Sequence, residues 1–180
     1  MKAKALLWAG LLLSGCADQG ALTSTDEGAA IQTKDILINE IMPKGSALTN
    51  EFGDKADWIE LYNNSGKTLT LHAGEWYLSD KPDEDPQKFE LPEIQLAANE
   101  HLLVWCDGEN VVSNDIHTNF KLSAKGETVV LYHKTGSHEL QVVDLCSFGA
   151  AGDEGTSIAR VEDGAAMWNQ GAMPTPLAAN

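Results

Sequence analysis

The densest set of potential ligands in the chain is Asp80, Asp83, Glu84 and Asp85, four carboxylates crowded into one loop stiffened by Pro82 and Pro86. Hard oxygen donors of this kind suit Ca2+, and Asp80, Asp83 and Asp85 are its candidate ligands. The spacing lacks the central glycine of a Ca2+-binding loop, and a solvated acidic turn accounts for the same residues. A second polar set, Asn39, Glu40, Asp57 and Glu60, lies among apolar neighbours. Alternation turns Glu60 away from the face carrying Ile59 and Leu61. These groups are expected to tie loops at strand ends by hydrogen bonds rather than to bind a ligand.

The five histidines, His72, His101, His117, His133 and His138, form neither His-x-His nor His-Glu-x-x-His. His133 and His138 flank a turn and are read as a surface pair, so no zinc site and no metal is expected. A nucleophile elbow needs Gly-x-Ser-x-Gly, and Gly155-Thr156-Ser157-Ile158-Ala159 lacks the second glycine. Ser, His and Asp all occur, but without a local signature of a triad. Trp58, Trp76, Trp105 and Trp168 would stack on sugar rings if they formed an exposed row. Cys106 and Cys146 could be joined, closing 40 residues and stabilising by roughly 4 kcal/mol, or remain two buried thiols. Neither has the Cys-x-x-Cys spacing or basic neighbour of a reactive thiol. The chemistry points away from an enzyme, and no cofactor is expected.

The chain has 180 residues, 43% of them hydrophobic and 22% charged, enough apolar material for one packed domain. Twelve basic residues against 27 acidic ones give a net charge of -15. Such a surface repels phosphate backbones, which argues against nucleic-acid binding, and it disfavours electrostatic adhesion to anionic lipid.

Residues 1–16 read MKAKALLWAGLLLSGC, a short basic start (Lys2, Lys4) followed by an apolar run from Ala5 to Leu13 that is too short to span a bilayer. The ending Leu13-Ser14-Gly15-Cys16 resembles the bacterial lipoprotein signal box. That resemblance implies a diacylglycerol thioether on Cys16, removal of residues 1–15, and a membrane anchor at the new N-terminus; several acyl chains at ~0.8 kcal/mol per buried CH2 hold firmly. Removal takes Lys2 and Lys4 with it, and the net charge goes from -15 to -17. Ala17 rather than Asp in the next position implies the outer membrane if the cell is Gram-negative. Residues 16–34 hold the lipidated cysteine and a linker rich in Gly, Ala, Ser, Thr and Asp, expected to act as a flexible tether.

From residue 35 to 180 the pattern is short apolar runs broken by Gly, Asn, Asp and Pro. Strands are expected at Ile36–Ile41, Trp58–Asn63, Thr68–Leu71, Trp76–Ser79, Lys88–Leu91, His101–Cys106, Thr128–His133, Leu140–Phe148 and Ser157–Val161. Only Pro92–Glu100 could hold a short helix. Strands at this spacing give an all-β sandwich or barrel, with Ile38, Ile59, Leu61, Leu103, Trp105, Val130, Leu131 and Val143 in the core.

The motifs ILINEIMPKG, DWIELYNNSG, WYLSD, HLLVWCDG, IHTNFKLSAKGETVVLY, VVDLCSFG, GTSIARV and PTPLAAN follow one another in order. Together they resemble the bacterial form of the lamin tail domain, an immunoglobulin-like β-sandwich, over Ile36 to Asn180. The usual closing Thr-Pro-Gly is Thr175-Pro176-Leu177 here. The resemblance implies a non-catalytic domain that meets protein or envelope partners through loops at the ends of the sandwich. The expected protein is a lipid-anchored envelope protein presenting this domain; the alternative is a surface module that binds glycans or Ca2+.

Overall fold

A computed structural model describes residues 34–180. Among these residues there are thirteen strands and no α-helix. They are β1 (Ile36–Met42), β2 (Asp57–Asn63), β3 (Leu69–Leu71), β4 (Trp76–Ser79), β5 (Phe89–Glu90), β6 (Ile94–Leu96) and β7 (His101–Cys106). There follow β8 (Val111–Val112), β9 (Ile116–His117), β10 (Glu127–Lys134), β11 (Leu140–Phe148), β12 (Ser157–Arg160) and β13 (Trp168–Ala172). One sheet runs β13-β12-β1-β2-β7-β9-β8, a second β11-β10-β4-β5, and β3 and β6 form a small third pair.

One core joins the three sheets. Ile38, Ile41, Ile59, Leu61 and Val104 from the large sheet pack with Trp76, Leu78, Val129, Leu131 and Phe148 from the second and with Leu69, Leu71 and Leu96 from the small pair. This is an immunoglobulin-like β-sandwich, as expected. The hairpin of β10 and β11 also forms as expected, pairing Glu127 with Phe148 through to Lys134 with Leu140.

Several expectations need correction. Ile94–Leu96 is a strand paired with β3, so Pro92–Glu100 holds no helix. In β10 it is Val129 and Leu131 that enter the central core, whereas Val130 lies on the opposite face against Tyr77 and Tyr132; the period of two permits only one of each adjacent pair to face inward. Trp105 likewise packs on the outer face with Met42 and Trp58, and Leu103 flanks that cluster half-buried. Val143 is only partly buried at the margin of the core. Three short strands, β6, β8 and β9, and the polar β13 were not expected; two- and three-residue strands leave almost no alternation to read.

The pairing of β1 with β2 slips between Ile38 and Glu40. This β-bulge has a local consequence. Ile38 and Ile41 both enter the core, while Asn39 and Glu40 both belong to the outer face. There Glu40 stands directly opposite Glu60.

Candidate functional site

The outer face of β1 and β2 would be an unusual place for two carboxylates without partners, since both Glu40 and Glu60 are fully buried. Their cover comes from the last residues of the sequence. Thr175 donates its backbone N–H to Glu40 Oε2 at 3.1 Å and its hydroxyl to the same oxygen at 3.2 Å. Leu177 N–H donates to Glu60 Oε2 at 2.6 Å, and Asn39 Nδ2 to Glu60 Oε1 at 3.2 Å. Asp163 Oδ1 accepts from Asn39 Nδ2 and from the backbone N–H of Asn180, both at 3.0 Å. Burial pushes the Glu60 carboxyl up to about 7, against the lowering effect of these donors. Glu40 is raised for the same first cause. Every acceptor is spoken for, so Asn39, Glu40 and Glu60 form a structural lock on the tail.

The groups with spare chemical capacity lie elsewhere, where the loop after β1 meets the end of β7 and the β8–β9 ribbon. Asn50 shapes that loop: its Oδ1 accepts the backbone N–H groups of Phe52 and Asp54 at 3.0 and 2.9 Å, and its Nδ2 donates to Asp107 Oδ2 at 3.1 Å. This Asx turn presents Glu51 and Phe52 over β9. His117 on β9 is fully buried, beside Trp105 of β7 in parallel pairing. Its Nδ1 lies 2.6 Å from Asp107 Oδ2, and Phe52 covers the ring with centroids 4.7 Å apart.

The other ring nitrogen, Nε2, has Glu51 Oε1 at 3.4 Å and makes no hydrogen bond. Asp115 completes the group. One ligand atom each from Glu51, Asp115 and His117 lies within 4.8 Å of the others, the one such cluster of His, Cys, Asp and Glu among the described residues. Trp105 Nε1 steadies Asp115 Oδ2 at 3.1 Å. Glu51 accepts from the Ser113 hydroxyl, which is the main cause holding its carboxyl below the ordinary range, and from Asn114 Nδ2 at 2.9 Å. Asp107 and His117 have the arrangement of the acid and base of a hydrolytic triad, but Nε2 faces a carboxylate where a hydroxyl nucleophile would stand.

Asp107 also borders a cavity of about 370 Å3 lined by Asp54, Lys55, Asp57, Cys106, Glu109 and Lys121. Burial pushes Asp57 up to about 6 and Cys106 well above the usual thiol range. A thiol held in its protonated form is a poor nucleophile. Cys146 is pushed up to about 12 for the same reason.

The Lamin Tail Domain family model matches residues 29–150. The chain belongs to the lamin tail domain family. No curated protein matches it at a significant level. The lamin tail domain is an immunoglobulin-like fold of a non-catalytic type.

The remaining sequence candidates are not brought together in this lamin tail domain. Asp80 pairs with Lys88 at 2.7 Å, while Asp83, Glu84 and Asp85 are exposed and form no converging set with it. Lysine neutralises the one carboxylate that turns inward, which leaves the loop an acidic turn. Trp58, Trp76 and Trp105 are buried, so the described residues present no tryptophan row for a sugar; Trp168 sits under Arg160, its ring centroid 4.5 Å from Cζ. Cys106 and Cys146 are both buried and free; they lie on different sheets and line the same core. His133 stacks on Trp76 at 4.4 Å, and His138 occupies the exposed turn. Cys16 and the proposed leader lie outside the described residues. The Glu51–Asp115–His117 group was missed because its members span 66 positions and no short motif joins them. The nearest signal was Asp115-Ile116-His117, whose alternate residues share one face of a strand.

Proposed function

We propose that this protein is a non-enzymatic, lipid-anchored envelope protein in which the lamin tail domain makes contacts with protein partners. Membership of the lamin tail domain family carries this reading. The side-chain chemistry supports it: acceptors on the outer face of β1 and β2 are consumed by internal hydrogen bonds, and the Asp107–His117 pair faces the Glu51 carboxylate rather than a hydroxyl. The anchor rests on the Leu13-Ser14-Gly15-Cys16 box. In this reading Cys16 carries the lipid, residues 17–34 span from bilayer to domain, and Ala17 leaves the protein free to be sorted to an outer membrane where the cell has one. The net charge, -15 for the full chain and -17 once Lys2 and Lys4 are removed with residues 1–15, favours partners with basic surfaces, which gain in encounter rate.

Two measurements test the two halves. Cells given radiolabelled palmitate should label the wild-type chain and not Cys16→Ala; an unlabelled wild type with Met1 intact removes the anchor. Cross-linking in intact envelopes should trap a discrete partner on the wild-type domain, and its loss at high salt is expected for an acidic surface. Turnover of a broad panel of ester, phosphate and glycoside substrates would overturn the non-enzymatic reading.

A further inference from the structure

We infer that Glu51, Asp115 and His117 form a binding site for a divalent transition-metal ion of the zinc class, with Asp107 as the positioning residue for His117. The strongest observation is the buried imidazole. Its Nδ1 side is committed to Asp107 Oδ2 at 2.6 Å, and the side chain is wholly shielded from solvent. With Nδ1–H donating to the carboxylate, Nε2 turns its lone pair toward Glu51 Oε1. Two acceptors then face one another at 3.4 Å, with no hydrogen bond made by Nε2. A cation shared by both resolves that conflict.

The distances suit a metal. Two ligands bound tetrahedrally at about 2.0–2.1 Å from one ion stand about 3.3–3.4 Å apart, which is the Nε2–Oε1 separation and too long for a strong hydrogen bond. Asp115 supplies a third ligand atom within 4.8 Å, and its own carboxylate is oriented by Trp105 Nε1. A carboxylate on the far nitrogen of a ligating histidine is the usual outer support of such sites: it fixes the tautomer and raises the basicity of the ligand. The donor set, one imidazole nitrogen and two carboxylate oxygens, favours zinc-class ions; Ca2+ takes oxygen ligands and gains little from an imidazole. Three protein ligands leave one position for water or for a group from a partner. Phe52, 53% exposed, and Val111, paired with His117 in the β8–β9 ribbon, place apolar surface beside His117.

Titration of the full chain with Zn2+, followed by calorimetry and by the His117 ring resonances, tests the site; Co2+ supplies visible bands as a second readout. The expected result is about one equivalent bound in the presence of excess Ca2+, with the Nε2-side signals of His117 shifting. Glu51→Gln, at the solvent edge of the loop, should weaken binding at least tenfold while the circular dichroism spectrum is unchanged, and Asp107→Asn should weaken it by about 10–100-fold. Three results would overturn the proposal: no Zn2+ binding up to millimolar concentration, displacement by equimolar Ca2+, or equal affinity in wild type and Glu51→Gln. A His117 ring that holds a proton on each nitrogen throughout the titration would do the same, since the shared cation would then be that proton.

Discussion

Leu177 donates its backbone N–H to Glu60 Oε2 at 2.6 Å while holding φ at +60°. This is the left-handed region, which costs an L-residue roughly 1–2 kcal/mol. The Leu177 side chain is 59% exposed, so little burial offsets the strain. Leu177→Gly should therefore stabilise the domain by about 0.5–1 kcal/mol, the relief being partly cancelled by glycine's greater freedom when unfolded. Urea denaturation measures it. A loss of stability would mean that the leucine side chain holds the tail and the strained backbone does not.

The same pair sets a pH dependence. Glu60 titrates near 7 in the fold against 4.5 ordinarily, and Asp57 near 6 against 3.8. Raised carboxyl values favour the protonated fold. Their stabilisation is complete below the ordinary values and is lost as the pH climbs through about 6 and then about 7. The domain should be more stable at pH 5 than at pH 8, with Glu60 contributing about 3 kcal/mol of the difference. Glu60→Gln should flatten the part of the curve around pH 7 and leave the part around pH 6, as read from thermal unfolding across that range.

Much of this domain was legible in the chain, and the exceptions have physical causes. The alternation in Trp58–Asn63 placed Ile59 and Leu61 inward and Glu60 outward, and the structure agrees. The same alternation could not say that Glu60's side is dry, because the cover comes from residues 117 positions away. In Thr128–His133 an unbroken apolar run hid which residues face the core, since both faces are buried there. The metal-ligand group was illegible for the related reason that loop geometry, set by Asn50, brings Glu51 to His117.

Asp144 and Arg160 couple the two main sheets. Asp144 Oδ2, on β11, accepts from Ile38 N–H at 2.8 Å and from Arg160 Nη2 at 2.7 Å, and Arg160 Nε donates to Ile38 O at 2.8 Å. Both side chains are largely buried. Removing one partner strands the other charge, so Asp144→Ala should cost about 3–5 kcal/mol. The double variant with Arg160→Met should lose much less than the sum of the single losses. Additive losses in the double-mutant cycle would show that the two charges act independently.

The thiols give a direct test of core closure. Cys106 and Cys146 are buried and free, with their thiols held protonated. In a Cys16→Ala background, maleimide should add to neither in the native state and to both in denaturant without any reductant, as read by mass. Modification in denaturant only after reduction would show a disulfide.

Thr175 lies 135 positions from the carboxylate it covers. During synthesis Glu40 and Glu60 leave the ribosome early and must wait, still wet, while more than a hundred further residues are added. Pairing of the first two strands cannot seal that face by itself. A nascent chain that has not yet reached Thr175 and Leu177 carries a hydrated seam over Glu40 and Glu60, and that face closes only after those two residues have been added.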